Sequence, residues 1–499
     1  MKRGWWLLLF AVVGLWLNTR QNHFPFYYHP DEVKKVDQIL SGERNFNHPL
    51  LMLNVVELAW KAQGSPADRQ RVVELGRETS AVFCVIGTLA FMLAAWRWRG
   101  PLAGVAAGAF LTSHQQVFEL AHYFKEDPAL YAGVGLFAWA AVAFYQRPTW
   151  TKLVLLAVSL ALAASAKYLG AILILPALVL VWCRPIPDRK KLAQIGILLA
   201  LVIGGFVLIN LPIFFRLDIF EASFGKEMNW AVSGEKDVTR SVPHSLYLNI
   251  FVDNTTPLIW LLLAAFGFHL FRRKPADRFL TWCLLGTLLG WMILLSFSPK
   301  TNDRYFLPLT GLIAILAAAG FAFLAAEWKE NPKLRWLPYL LVIAAVGWEI
   351  QKTQTYLAAF AVDDRVELVA WIDEHIPATE TIGYDTKVNL PDIEVYHDLA
   401  HPLPHRLLRK FYAADLGTPE YFEREKIRYL IITESAYGRF FLTSLKAKKG
   451  QSSEFERRTA FYQKLREQPP LWSRPRSTVL YLHPGLEVYR YEPARTENK

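Results

Sequence analysis

The chain has 499 residues, of which 53% are hydrophobic and 20% charged, and its net charge is +11 at pH 7. Its apolar residues gather in runs of roughly 17–25, the length that crosses a hydrocarbon core about 30 Å thick, which excludes an ordinary soluble domain. Residues 363–499 hold 21 Lys+Arg and 21 Asp+Glu, leaving 34 against 23 before them. The whole basic excess therefore lies between the apolar runs. That placement argues against a nucleic-acid patch and fits loops that fix membrane orientation.

Lys2-Arg3 precedes an apolar run over residues 5–17. The pattern is that of a signal peptide, but Asn18-Thr19-Arg20-Gln21 offers no small-residue cleavage site, so an uncleaved first span is expected. A long loop over 18–79 follows. Its periodic stretch 50–60 predicts a helix lying on the membrane surface. Further spans are expected over 80–96, 102–114, 128–145, 153–166, 169–183 and 192–211. A second long loop, 212–256, reads as polar and mobile. The last spans are expected over 257–271, 279–297, 306–326 and 337–357. About eleven helical spans result, because lipid offers no partner for free backbone groups. Cys84, Cys183 and Cys283 fall within or at the edges of these runs, so neither a disulfide framework nor a cysteine-based metal cluster is expected.

Alternate short connections carry the basic residues: Lys2-Arg3, Arg97 and Arg99, Arg147 and Lys152, Arg184 with Arg189-Lys190-Lys191, Arg272-Arg273-Lys274, and Lys329, Lys333 and Arg335. These read as cytoplasmic. An odd number of spans then places the loops 18–79 and 212–256, and the tail, outside. Residues 1–362 are expected to form a transmembrane catalytic domain, and 363–499 a small extracytoplasmic α/β domain. In that tail, 366–375 reads as a helix ended by Pro377, 455–466 as a second helix, and 429–433 and 478–482 as short buried strands.

The external side carries the candidate chemistry. In His29-Pro30-Asp31-Glu32, adjacent carboxylates suit a general base with an orienting neighbour, although Pro followed by acids also suits a plain helix start. Lys125-Glu126-Asp127-Pro128 offers a second acidic pair, with N-capping as its ordinary reading. Arg304-Tyr305-Phe306-Leu307-Pro308 puts a cation at the mouth of a span, where it could grip a phosphate or snorkel to lipid headgroups. Lys167-Tyr168 places a lone cation in the tightest turn between spans. His48, His122 and His244 are single histidines, more often structural than ligating. Asn254-Thr255-Thr256 is a formal glycosylation sequon beside a span. No phosphate-cradling loop of the Walker or dinucleotide type is present, and charge within the spans is sparse. Chemistry at the outer interface is expected, on a donor carried in the membrane.

The order and sidedness of these motifs resemble the GT-C superfamily of glycosyltransferases. The short first span, the external Asp31-Glu32 pair, the acidic motif before the fourth span, the Arg-Tyr-x-x-Pro motif and the α/β tail closing on Gly485-Leu486-Glu487-Val488-Tyr489 are similar to the protein O-mannosyltransferase and aminoarabinose transferase group. The resemblance implies a polyprenyl-phosphate-linked sugar as donor and inverting transfer to an extracytoplasmic acceptor: protein, lipid or envelope glycan. It implies a bacterial plasma membrane as the location. By position it makes Asp31 the catalytic base and Glu32 its neighbour. Glu126 and Asp127 match the second acidic motif, Lys167 and Arg304 the cations near the donor phosphate, and His48-Pro49 a recurrent first-loop element. Tyr168 and Tyr305 stand beside these cations as further substrate contacts. A divalent cation held by Asp31 and Glu32, or by Glu126 and Asp127, stays open. The Glu-Lys pair of the aminoarabinose transferases is not found in the first loop, nor are the repeat domains of eukaryotic mannosyltransferases in the tail, which leaves the acceptor open. Two other classes stay open too: a lipid-sugar flippase, and a non-catalytic subunit of envelope polysaccharide assembly.

Overall fold

The computed structural model describes residues 3–233, 238–240, 246–273, 277–298 and 302–491. Lys2, His244 and Lys274 lie outside the described residues. The chain forms two compact units. The helical unit takes in residues up to 23, 31–233, and the described residues from 246 to 354. The second unit takes in 24–30, 238–240 and 355–491.

The helical unit begins with α1 (Arg3–Asn18), α2 (Pro30–Ser41) and α3 (Leu51–Ala62). In α3, Leu51, Met52, Leu53 and Val56 are buried and Leu58 is exposed, which gives the stretch its helical period. The long α4 (Arg69–Arg99) starts well before its apolar run, at a point where a loop was expected. Asp68 explains the start: its side chain caps the helix by accepting from the N–H groups of Gln70 and Arg71. Gly100, at φ 92, ends α4, and Pro101 opens α5 (Pro101–Thr112). The short α6 (Gln115–Ala121) leads to α7 (Asp127–Gln146), α8 (Trp150–Ala166) and a single 3-10 turn over Tyr168–Leu173. Next come α9 (Ile174–Trp182) and α10 (Asp188–Ile209). The stretch expected to be a polar, mobile loop instead holds α11 (Leu211–Phe215), α12 (Leu217–Ser233) and α13 (Leu246–Asn254). Its apolar residues are spaced for a helix and largely exposed, as at Leu217, Met228 and Val232. The unit closes with α14 (Pro257–Arg273), α15 (Arg278–Phe297), α16 (Leu307–Glu327) and the greater part of α17 (Leu337–Phe360).

Every expected apolar run thus falls on a helix. Among the described residues, 5 helices are long and apolar enough to cross a membrane alone. A sixth span results if α13 and α14, bent by 112° at their junction, count as one. The chain is a polytopic helical membrane protein. Its helices α4, α5, α7, α8 and α16 pack around a common core. Small residues allow the close crossings. A Cβ on Gly320 of α16 would lie 1.9 Å from the Leu262 carbonyl oxygen of α14.

The second unit is α/β. A five-stranded sheet has the order β3-β2-β4-β7-β6, where β2 is Thr381–Asp385, β3 Arg406–Lys410, β4 Ile427–Thr433, β6 Trp472–Arg474 and β7 Leu486–Arg490. Strands β2, β3 and β4 run parallel, and β6 and β7 pair antiparallel. A separate two-stranded ribbon joins β1 (Val238–Arg240) to β5 (Leu445–Ala447). Helix α18 (Asp364–His375) covers one face of the sheet through Leu368 and Ile372, which pack with Ile431 and Val488. Helices α19 (Pro419–Arg424), α20 (Glu434–Tyr437) and α21 (Ser452–Leu465) cover the other face, where Phe422, Tyr437 and Tyr462 meet Leu430 and Ile432. The alternation of Leu430, Ile431 and Ile432 between the two faces is the period of a strand buried on both sides. The strand expected over 478–482 is instead a turn. Its apolar pattern arises because Val479 and Leu482 plug the core while the Val479 carbonyl accepts from the N–H groups of Leu482 and His483. The closing strand is β7.

Gly320→Val should force α14 and α16 apart at a cost of about 1–3 kcal/mol. Thermal unfolding in detergent should register that loss, whereas Gly267→Ala in α14, with nothing within 4 Å of its added Cβ, should leave the transition in place.

Candidate active site

The residues singled out in the sequence meet at the ends of helices within the helical unit. Pro30 opens α2 and puts Asp31 and Glu32 in its first turn. Successive helical positions diverge by about 100°, so the two carboxylates face different ways. Glu32 turns inward. Its Oε2 lies 2.6 Å from Arg77 Nη2 and its Oε1 3.1 Å from Arg77 Nε. Both side chains are 0% exposed. Oε1 also accepts the Phe124 N–H at 2.7 Å, and Arg77 Nη1 donates to the Asn22 carbonyl at 2.8 Å. Glu32 therefore ties α2 to α4 and to the loop before α7, and it has no surface left to touch a substrate. That corrects the sequence-based reading of Glu32 as catalytic.

Asp31 turns the other way and its side chain is 43% exposed. Its Oδ2 accepts Lys125 Nζ at 2.8 Å, and Arg304 Nη1 lies 3.5 Å from the same oxygen. Arg304 also reaches toward Asp127, with Nε 3.8 Å from Oδ2. Asp127 Oδ1 accepts Lys167 Nζ at 2.7 Å. Arg304 thus bridges two carboxylates that are far apart in sequence. Lys167 Nζ sits 4.3 Å from the centre of the Tyr305 ring, a cation–π contact that fixes it from the other side. Tyr168 stands at the back of this group, its hydroxyl donating to the Phe46 carbonyl at 3.0 Å. Phe46 is a buried residue in the left-handed region at φ 51, a conformation that costs free energy and marks an overdetermined loop.

Glu126 completes the cluster. Lys35 Nζ is 3.1 Å from its Oε1 and donates to the Phe124 carbonyl at 2.9 Å. His48 Nε2 is 3.9 Å from Glu126 Oε2. Burial acts to raise the Glu126 carboxyl, but His48 and Lys35 outweigh it and hold the group below its ordinary range. Burial likewise holds the His48 imidazole below its ordinary value, partly offset by Glu126. The Lys125 ammonium is pushed down to about 8, chiefly by burial and then by the nearby Arg304 guanidinium, with Asp31 opposing. Among the described residues no three His, Cys, Asp or Glu side chains form a metal-binding group. The carboxylates that would hold a cation are instead engaged by Lys and Arg.

All four loops named in the sequence therefore converge. Sequence reading missed three participants. Lys125 stands inside a quoted motif but was given no role. Lys35 lies one helical turn after Asp31, a spacing that could have pointed to it. Arg77 sits in the first turns of α4, which were assigned to a loop. The other candidates are structural. His122 is buried, with its ring nitrogens on the carbonyls of Phe118 and Arg20. Asn254 is engaged by Gln115 at its side chain and by His114 at its carbonyl.

Residues 73–212, which include Arg77, Glu126, Asp127 and Lys167, match the family model described as dolichyl-phosphate-mannose-protein mannosyltransferase. Among solved structures, ArnT from Cupriavidus metallidurans bound to undecaprenyl phosphate is similar with a TM-score of 0.55 and 16% identity, over 89% of this chain and 95% of that one. The archaeal oligosaccharyltransferase AglB from Archaeoglobus fulgidus, in complex with an inhibitory peptide and a dolichol-phosphate, is similar with a TM-score of 0.52 and 11% identity, over 86% of this chain and 69% of that one. A search of the curated proteins finds no match. The chain has the fold of the GT-C glycosyltransferases.

Breaking the Glu32–Arg77 pair from one side leaves a buried charge uncompensated. Arg77→Met or Glu32→Leu alone should cost about 3–5 kcal/mol. The check is the yield and melting temperature of the purified protein, and the double variant should recover part of what either single change loses.

Proposed function

We propose that this chain is an inverting glycosyltransferase that moves a sugar from a polyprenyl-phosphate-linked donor to an acceptor outside the membrane. The observation that carries the reading is the bridge of Arg304 between Asp31 and Asp127, with Lys125 and Lys167 on the same carboxylates. Four cations, Lys35, Lys125, Lys167 and Arg304, thus stand on the three carboxylates Asp31, Glu126 and Asp127. A phosphodiester brings a negative charge that such a group of cations can hold.

The roles follow from exposure and partners. Asp31 is the half-exposed carboxylate, so it is the one that can take the proton of an incoming hydroxyl. The acceptor oxygen attacks the anomeric carbon. The bond from that carbon to the phosphate oxygen breaks, and the electron pair leaves with the polyprenyl phosphate. Arg304 and Lys167 stabilise the charge that develops on the leaving phosphate, an effect worth about 3–4 kcal/mol per well-placed donor in such sites. Asp127, Glu126, His48, Tyr168 and Tyr305 line the sugar and phosphate side. Glu32 is a positioning residue. A single displacement with one base inverts the anomeric centre. An apolar groove of about 570 Å³ between α9 and α15, lined by residues such as Leu175, Val179, Trp282 and Ile293, suits a prenyl chain. The basic short loops support a cytoplasmic N-terminus, with the site and the α/β unit outside a bacterial plasma membrane.

Mass spectrometry of polyprenyl-phosphate sugars and envelope glycans, in cells with and without the protein, tests the reading. One lipid-linked sugar should accumulate in its absence, and unchanged pools would count against a transferase. Asp31→Asn should lower transfer by about 100-fold or more while the protein stays folded. Full activity in that variant would remove Asp31 from the role of base. The same cations predict a pH effect. Because burial holds the Lys125 ammonium at about 8, it loses its proton as pH rises through that value, and the centre loses one positive charge. The apparent donor KM should therefore rise above about pH 8, and Lys125→Arg, which stays charged, should abolish that limb.

A further inference from the structure

Asn210 stands at the C-terminal end of α10, and it is wholly buried. Its amide oxygen and its amide nitrogen are both engaged. Oδ1 accepts the Leu50 N–H at 2.7 Å. Nδ2 donates to Ser165 Oγ at 2.9 Å and to the Phe206 carbonyl of its own helix at 2.9 Å. Leu50 sits at the N-terminal cap of α3, and Ser165, itself wholly buried, lies in the last turn of α8. A hydrogen-bonding group left unmatched in the interior is costly, so one amide fixes both segments.

The same two segments meet a second time, where the Tyr168 hydroxyl donates to the Phe46 carbonyl at 3.0 Å. The result is a closed ring. It runs from Asn210 to Leu50, back along the chain to Phe46, across to Tyr168, back along the chain to Ser165, and across to Asn210. All of it lies within the helical unit. One arc, 46–50, contains His48, and the other, 165–168, contains Lys167. Each arc is held at both ends. From the first, His48 Nε2 comes within 3.9 Å of Glu126 Oε2. From the second, Lys167 Nζ meets Asp127 Oδ1 at 2.7 Å. Glu126 and Asp127 are adjacent at the start of α7, and adjacent helical positions diverge by about 100°. Facing both at once requires a set spacing between the two arcs.

We propose that Asn210 is a positioning residue: by closing this ring it sets the spacing of His48 and Lys167, and with it the place of the cation that receives the donor phosphate. The inference rests on the reading of Lys167 as a phosphate-side group. Asn210 carries no charge, so its loss changes where Lys167 stands rather than how much charge the centre holds. Asn54 provides the contrast. Its Nδ2 donates to the Ile209 carbonyl at 2.8 Å and so also ties α3 to α10, but outside the ring.

The test measures the Kd of farnesyl phosphate, a short prenyl monophosphate, for the full-length protein in detergent, alongside thermal unfolding. Asn210→Leu and Ser165→Ala should each weaken binding about five- to tenfold. Asn54→Ala removes a hydrogen bond of the same kind, so it should lower the unfolding temperature yet leave the Kd within about twofold. Tyr168→Phe opens the ring at its other closure. The double variant Ser165→Ala with Tyr168→Phe should therefore bind no more than about twofold more weakly than the worse of its two parents. If Asn210→Leu does not fold, the Ser165→Ala and Tyr168→Phe cycle carries the same comparison. An unchanged Kd in Ser165→Ala and Asn210→Leu, an equal loss in Asn54→Ala, or losses that multiply in the double variant each overturn the proposal. Lys167→Met should weaken binding by roughly tenfold or more. Farnesyl phosphate held as tightly by Lys167→Met as by the parent would instead overturn the placement of Lys167 at the phosphate, whatever the ring variants show.

Discussion

The buried Glu32–Arg77 pair is the constraint on which the site depends. An unpaired carboxylate or guanidinium at zero exposure would cost several kcal/mol, so each is tolerable only with the other in place. The pair satisfies itself bidentately, and its remaining capacity goes to the Phe124 N–H and the Asn22 carbonyl. One interaction thereby sets the relation of α2, α4 and the loop that carries Lys125, Glu126 and Asp127. Asp31 gains its outward direction because Glu32 has taken the inward one.

The rest of the centre is a chain of shared ions rather than a set of separate bridges. Lys125 and Arg304 share one oxygen of Asp31, Arg304 and Lys167 share Asp127, and Lys35 and His48 share Glu126. No group in the chain can move without changing the balance seen by its neighbours. Such preorganised charge suits a reaction whose leaving group departs as an anion, since the stabilising groups are in place before the charge develops.

Much of this was legible in the sequence. The apolar runs located the helices because the bilayer demands length and apolarity together. The motifs around Asp31, Glu126-Asp127, Lys167 and Arg304 could be read as one site once the basic loops had assigned them a side. What escaped has a physical cause in each case. Arg77 lies in turns of α4 that are amphipathic rather than apolar, so nothing in the hydropathy announced a helix there. Glu32 reads as a twin of Asp31, and only the direction of a helix's first turn separates them. Residues 478–482 share the apolar alternation of a strand, because a turn that plugs a core buries the same alternate residues. The exposed apolar residues of α12 fall in a stretch whose charges made it look like a loop.

The aromatic segment before Asp31 also has a consequence for how the protein is made. It leaves the ribosome near the start of synthesis, while the helix and loop residues that receive it are encoded after residue 355. At about 5–20 residues per second, roughly 15–65 s separate the two events. For that interval Phe24, Phe26, Tyr27 and Tyr28 lack the residues that receive them. The loop closed by this pairing spans most of the chain, so its contribution to folding comes last. A chain that stops short of residue 355 leaves the aromatic segment without the residues that receive it.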